Sequence, residues 1–203
     1  MNVIKFLGAA GRAENVSTHP FEVWPEHRGH IWVANPPGYG RSTGRASLRS
    51  AYETAQQVYQ LVTKDSTVRP FLTGSSFGGT VAIGIASQNP VRGLLVRDMP
   101  NIRGLILKRH RHFPRIAKAF ADRVPDPLEV LKAAANCHVP ALFVSSRKDR
   151  IVPAEFHDEI FNAYAGPKKM VRLEEADHMD PISDSEWPEY EQALYWLYDA
   201  INS

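Results

Sequence analysis

Residues 71–79 read Phe-Leu-Thr-Gly-Ser-Ser-Phe-Gly-Gly, and within them Gly74-Ser75-Ser76-Phe77-Gly78 has the spacing Gly-x-Ser-x-Gly. The apolar residues before it suit a strand, and the small-residue run Gly79-Thr80-Val81-Ala82-Ile83-Gly84 after it suits a helix. A strand turning that sharply into a helix puts Ser76 in a strained backbone conformation, sterically open only when positions 74 and 78 are small. The turn lifts the Ser76 hydroxyl above the sheet and leaves the Phe77 N–H free to stabilise an oxyanion. A serine hydroxyl becomes a nucleophile only beside a base. An imidazole base in turn needs an acceptor that fixes its tautomer and stabilises its protonated form. Asp149, in Lys148-Asp149-Arg150-Ile151-Val152-Pro153, and His178, in Ala176-Asp177-His178, each follow an apolar run and supply those groups in the order serine, acid, histidine. Asp98, directly after the apolar run 93–97, is the rival acid, and Asp149 is the expected one. Asp177 and Asp180 flank His178 and read as loop-capping or solvated residues.

Bringing three such distant residues together requires a scaffold with one common edge. Strand candidates recur at 3–7, 30–34, 70–73, 93–97, 141–145 and 170–174, most of them apolar without strict alternation, as in strands buried on both faces. Helix candidates lie between them at 48–63, 78–88, 153–165 and 186–201. In the first, Leu48, Ala51, Tyr52, Ala55, Val58, Tyr59 and Val62 form one stripe, with Ser47 as its N-cap. Strands alternating with helices predict an α/β fold: a mainly parallel central sheet of about six strands, flanked by helices. In such a sheet the loops at the carboxyl ends of the strands share one edge, so residues 76, 149 and 178 can converge there.

The stretch between the strands at 93–97 and 141–145 is about twice as long as the other connections. It holds the apolar run 102–107, the basic cluster Lys108-Arg109-His110-Arg111-His112, and two short helix candidates at 115–123 and 128–135. Segment 99–138 therefore reads as a small helical cap inserted into a single domain, 1–203. Ile116, Phe120 and Val124 recur at helical spacing and are candidate pocket walls facing Ser76, the alternative being that they fix the cap to the sheet. The basic cluster reads as a solvated cap face, with an anionic substrate or interface as the alternative.

Taken together, the serine turn, the acid loop, the histidine loop and the turn Asn35-Pro36-Pro37-Gly38-Tyr39-Gly40-Arg41-Ser42 resemble an α/β-hydrolase of the small-cap serine hydrolase type, over nearly the whole chain except the cap. The resemblance implies a second oxyanion donor after the first strand. Leu7-Gly8-Ala9-Ala10 stands where the family often has His-Gly, which makes the Ala9 N–H that candidate and removes the histidine. Tyr39 packs the glycine turn and is a further candidate for the pocket. The resemblance also implies an antiparallel edge hairpin ahead of the first core strand, whereas this chain enters that strand at residue 3.

The remaining composition narrows the function classes. Apolar residues make up 43% and charged residues 23% of 203, enough for a core and too apolar for disorder. Lys plus Arg number 24 and Asp plus Glu 22, a net charge of +2 that speaks against a dedicated nucleic-acid binder. The single cysteine, Cys137, permits no intrachain disulfide, and no apolar run approaches the roughly 20 residues of a membrane span. Lys5 before a short apolar patch is too little for a signal peptide, so a cytoplasmic location is expected. The expected activity is hydrolysis of a small-molecule carboxylic ester of short or medium acyl chain through an acyl-enzyme, with no metal or organic cofactor. A peptidase or thioesterase on the same residues, or a non-catalytic ligand binder, are the alternatives.

Overall fold

In the computed structural model, which describes residues 1–25 and 29–203, six parallel strands form one sheet. They are β1 (Asn2–Phe6), β2 (His30–Val33), β3 (Phe71–Ser75), β4 (Gly93–Arg97), β5 (Ala141–Ser146) and β6 (Lys168–Leu173), in the spatial order β2-β1-β3-β4-β5-β6. Seven α-helices accompany them among the described residues: α1 (Leu48–Thr63), α2 (Phe77–Ala86), α3 (Ile102–Arg109), α4 (Pro114–Ala121), α5 (Val130–Ala135), α6 (Ala154–Ala163) and α7 (Trp187–Asn202). None of these helices is long and apolar enough to cross a membrane.

The apolar character of the strands follows from cover on both faces. Ile4, Leu72, Leu94, Val96, Ala141 and Phe143 join the core beneath α1, α2, α5 and α6. Their immediate neighbours Val3, Phe71, Leu95, Leu142 and Val144 join the opposite core, under α7 and the segment carrying Phe21 and Trp24. Side chains of a strand alternate between faces, so a strand buried on both has no polar positions to spare. The strand order reverses direction between β1 and β3, and a crevice opens at the carboxyl ends of strands at such a point.

Local signals set the helices. Ser47 caps α1, accepting the Ser50 N–H at 3.0 Å while the Ser50 hydroxyl reaches back to the Ser47 N–H, an arrangement worth about 1 kcal/mol. The buried stripe Ala51, Ala55, Tyr59 and Val62 then lies on the sheet. Two strands extend beyond their apolar runs. β3 continues through Gly74 and Ser75 because β4 offers partners to both, and β6 starts at Lys168 and Lys169, which pair with Ala141 and Leu142. Backbone pairing needs no apolar side chain, so composition alone is blind to these ends.

Segment 99–138, read from the sequence as one cap, divides in two. α3 and α4 pack on each other. α5 instead packs against α2 and α6 and buries Val130, Ala133 and Ala134 in the main core, so it is part of the helical layer that covers the sheet.

Candidate active site

Register aligns the strand ends: Phe6 pairs with Gly74, Ser75 with Arg97, and Arg97 with Val144. Ser76 follows β3 immediately and has φ +52° and ψ −129°, a region rarely occupied by residues with a side chain and costing about 1–3 kcal/mol. The cost is tolerated because the turn is closely packed. A Cβ on Gly74 would lie 2.2 Å from the carbonyl oxygen of Gly78, and one on Gly78 would lie 2.1 Å from that of Phe6. Any side chain at either position would push the turn apart. Phe77 is the first residue of α2, so its N–H has no acceptor within the helix and points with the positive end of the helix dipole toward the Ser76 side.

Two loops complete the arrangement. The Ser76 Oγ lies 3.1 Å from His178 Nε2, and His178 Nδ1 lies 2.6 Å from Asp149 Oδ2. The other Asp149 oxygen accepts the N–H groups of Ile151 and Val152 at 2.8 and 2.7 Å, which holds the carboxylate in a tight turn of its own loop. Asp177 ties the two loops together. Its Oδ1 accepts the N–H of Arg150 at 3.0 Å and that of His178 at 2.7 Å, and its Oδ2 pairs with the Arg150 guanidinium. These hydrogen bonds, the backbone ones foremost, hold the Asp177 carboxyl down at about 2. Asp180 closes the histidine loop by accepting the Asp177 N–H at 2.9 Å.

Asp98 stands close by but is differently engaged. Its Oδ1 accepts the Ser146 N–H at 2.7 Å; its Oδ2 accepts the Ser146 hydroxyl at 2.8 Å, Arg97 Nε at 3.1 Å and the Met179 N–H at 3.3 Å. It anchors the backbone just after His178, and Arg97 adds to this by donating to the Asp180 carbonyl at 2.5 Å. Ligand atoms of Asp98, Asp149 and His178 all lie within 4.8 Å of one another, a spacing a metal ion could use. Every carboxylate oxygen of the group already accepts from an N–H or O–H, so the donor set suits a hydrogen-bonded relay better than an ion.

Above Ser76 opens a cleft of about 630 Å³. Ala9, Ser76 and Phe77 line it together with Tyr39, Leu48, Ile151 and Val152. α3 contributes an apolar wall through Ile102, Leu105 and Ile106, followed by Arg109 and His110.

No protein-family model matches the chain. Among curated proteins, the uncharacterized protein YfhR of Escherichia coli O157:H7 is 24% identical over 214 residues, covering 98% of this chain and 72% of that protein. The uncharacterized protein Rv2307c of Mycobacterium tuberculosis H37Rv is 28% identical over 147 residues, 71% of this chain and 51% of that one. Among solved structures, an acetyl xylan esterase from Paenibacillus sp. R4 superposes with a TM-score of 0.76 at 16% identity, covering 98% of this chain and 73% of the other. Est1E from Butyrivibrio proteoclasticus, with ferulic acid bound, gives 0.73 at 17% identity over 100% and 90% of the two chains. The monoacylglycerol lipase of Paleococcus ferrophilus gives 0.71 at 19% identity over 98% and 94%. Both the six-stranded parallel sheet and these superpositions point to one architecture. The chain has the α/β-hydrolase fold.

On this α/β-hydrolase scaffold the residues singled out from the sequence fall into two groups. Ser76, His178, Asp149, Ala9, Phe77 and Tyr39 meet at the cleft. Ile116, Phe120 and Val124 do not line it. α4 turns Ala117 and Ala121 inward, 1% and 0% exposed, and leaves Ile116 and Phe120 outside at 56% and 54%. Small side chains let α4 approach α3 closely, and a period of 3.6 residues does not say which stripe faces in. Val124 is buried, but in the main core rather than the cleft. The cleft wall comes from α3, an apolar run in the sequence whose residues 102, 105 and 106 have helical spacing. His157 on α6 had no sequence signal at all. It is buried behind Asp149, shares a 2.8 Å hydrogen bond with Ser145 Oγ, and has its Nε2 3.9 Å from Asp149 Oδ2. Burial holds its imidazole below histidine's usual range, so it sits there as a neutral ring.

Proposed function

We propose that the protein is a serine hydrolase that cleaves carboxylic esters of short or medium acyl chain through an acyl-enzyme. The observation that carries this reading is the continuous relay from Ser76 Oγ to His178 Nε2 at 3.1 Å and from His178 Nδ1 to Asp149 Oδ2 at 2.6 Å, at the base of an apolar cleft. Ser76 Oγ attacks the ester carbonyl carbon as its proton passes to His178 Nε2. Asp149 keeps the ring oriented with Nδ1 protonated and stabilises the imidazolium. The negative charge on the carbonyl oxygen is received by the N–H groups of Phe77 and Ala9. Collapse of the tetrahedral adduct breaks the bond to the alkoxide oxygen, which takes the proton from His178 and leaves as the alcohol. Water, giving a proton to the same ring, then adds to the acyl-enzyme, and collapse of this second adduct releases the acid while His178 returns the proton to Ser76 Oγ.

The preference for esters rests on their alkoxide leaving groups, which need less assistance than amines. A cleft of about 630 Å³ falls in the usual range for small-molecule sites, and its one apolar helix wall suits a short chain better than a long lipid tail. The esterase and lipase names of the structural neighbours agree with this class of chemistry. The reading is tested by labelling with a fluorophosphonate, followed by kcat/KM for p-nitrophenyl esters from acetyl to palmitoyl. Ser76-dependent labelling and a maximum at the short or middle lengths are expected. Labelling that survives Ser76→Ala refutes the nucleophile, and a maximum at palmitoyl refutes the size preference.

A further inference from the structure

α4 is built inside out. Ala117 and Ala121 face the protein, while Ile116 and Phe120, one turn apart on another stripe, face away, and Phe113 at its N-terminal cap is 63% exposed. Phe113, Ile116 and Phe120 thus put three large apolar side chains on the outside of one short segment, and contiguous exposed apolar area is a feature of interaction sites. The charge around them is equally uneven. Residues 107–123 hold six Lys and Arg against one carboxylate, Asp122, which leaves 18 cations against 21 carboxylates in the rest of the chain. Lys108 pairs with Glu155 and Lys118 with Asp122. Arg109, Arg111, Arg115 and Arg123 are exposed and meet no carboxylate at ion-pair distance among the described residues. Arg123 lies over the Phe120 ring at 5.6 Å, next to the apolar stripe.

We propose that the α3–α4 face docks on an anionic lipid surface. Phe113, Ile116 and Phe120 enter the boundary between headgroups and acyl chains, and Arg109, Arg111, Arg115 and Arg123 meet lipid phosphates. Aromatic and branched apolar residues ringed by cations are the chemistry that such an interface selects. A second copy of the chain is disfavoured as the occupant, because it would bring six cations against six others. The docked orientation also has a consequence for the cleft. Arg109, the last residue of α3, and His110 after it line the same cleft that α3 walls, so the cleft mouth lies close to the lipid boundary.

Cosedimentation with vesicles of phosphatidylcholine, with and without phosphatidylglycerol, tests this without reference to turnover. The full chain is expected to bind the phosphatidylglycerol vesicles about tenfold or more tightly than the neutral ones, and to be released near 1 M salt, where the screening length is about 3 Å. The double variant Ile116→Ser/Phe120→Ser should lose about tenfold in vesicle binding with little change in Tm, because both side chains are more than half exposed. Arg111→Glu/Arg115→Glu, which alters exposed side chains only, should lose the preference for phosphatidylglycerol. Equal binding by wild type and both variants, or no binding to anionic vesicles, overturns the proposal. So does a concentration-dependent dimer in solution that disappears in Ile116→Ser/Phe120→Ser, which would assign the face to a second copy.

Discussion

At the carboxyl edge of β4, β5 and β6, Asp98, Asp149 and His178 are largely withdrawn from water, and each carboxylate oxygen has an N–H or O–H donor. Across the cleft, α3 and α4 leave Phe113, Ile116 and Phe120 in solvent and bury alanines instead. The first region has little freedom. A buried carboxylate left without its donors costs several kcal/mol, so the loops that carry it must adopt the conformations that supply them. The second region can be altered on its outer face without disturbing anything packed beneath it. The same molecule therefore holds Asp98, Asp149 and His178 in a network that leaves little room for change, and sets beside them a face whose large apolar side chains the fold leaves exposed.

The sharpest test of the rigid side is Ser76→Ala. Ester hydrolysis should fall by about 10⁴-fold or more, with the circular dichroism spectrum and Tm retained. Saturable activity surviving in the purified variant would remove Ser76 from the mechanism.

Asp149→Asn comes next and separates the two buried acids. An amide there favours the wrong tautomer of His178 and removes the charge opposite the imidazolium, for a loss of about 10³- to 10⁴-fold in kcat. Asp98→Asn should act chiefly on stability, since it weakens the anchors to Ser146, Arg97 and Met179, by about 1–3 kcal/mol in chemical denaturation. The reverse ranking in activity would transfer the acid role to Asp98.

On the cap side, Ala117→Leu should destabilise by about 1–3 kcal/mol, because it inserts bulk where α4 lies against its neighbours and is 1% exposed. Phe120→Ser, one helical turn from that seam and outside it, should stay within about 0.5 kcal/mol of the parent. If Phe120→Ser proved the more damaging of the two, α4 would be packed the other way round and the contrast between the regions would disappear.

The contrast also separates what could be read without a structure from what could not. Gly74-Ser75-Ser76-Phe77-Gly78 is legible because the turn is determined locally: the glycines are demanded by atoms a few residues away, and the strand before and helix after carry their own apolar patterns. Asp149 and His178 are legible for a related reason. Parallel strands all end on one edge, so a polar residue just past an apolar run has few places to go. Helix α1 announced itself by both its stripe and its Ser47 cap.

What the amino-acid sequence determined by itself is thus the order of elements, the two-sided burial of the strands and the residues delivered to their common edge. These depend on local periodicity and on the backbone's need to pair its polar groups. The tertiary structure alone decided which stripe of α4 faces inward, that α5 belongs to the sheet's helical layer, that α3 walls the cleft, and that His157 lies buried behind Asp149. Each of those depends on how closely two distant surfaces can approach. An alanine stripe and an Ile/Phe stripe of one helix offer the same period, and only the space left by the neighbouring helix chooses between them.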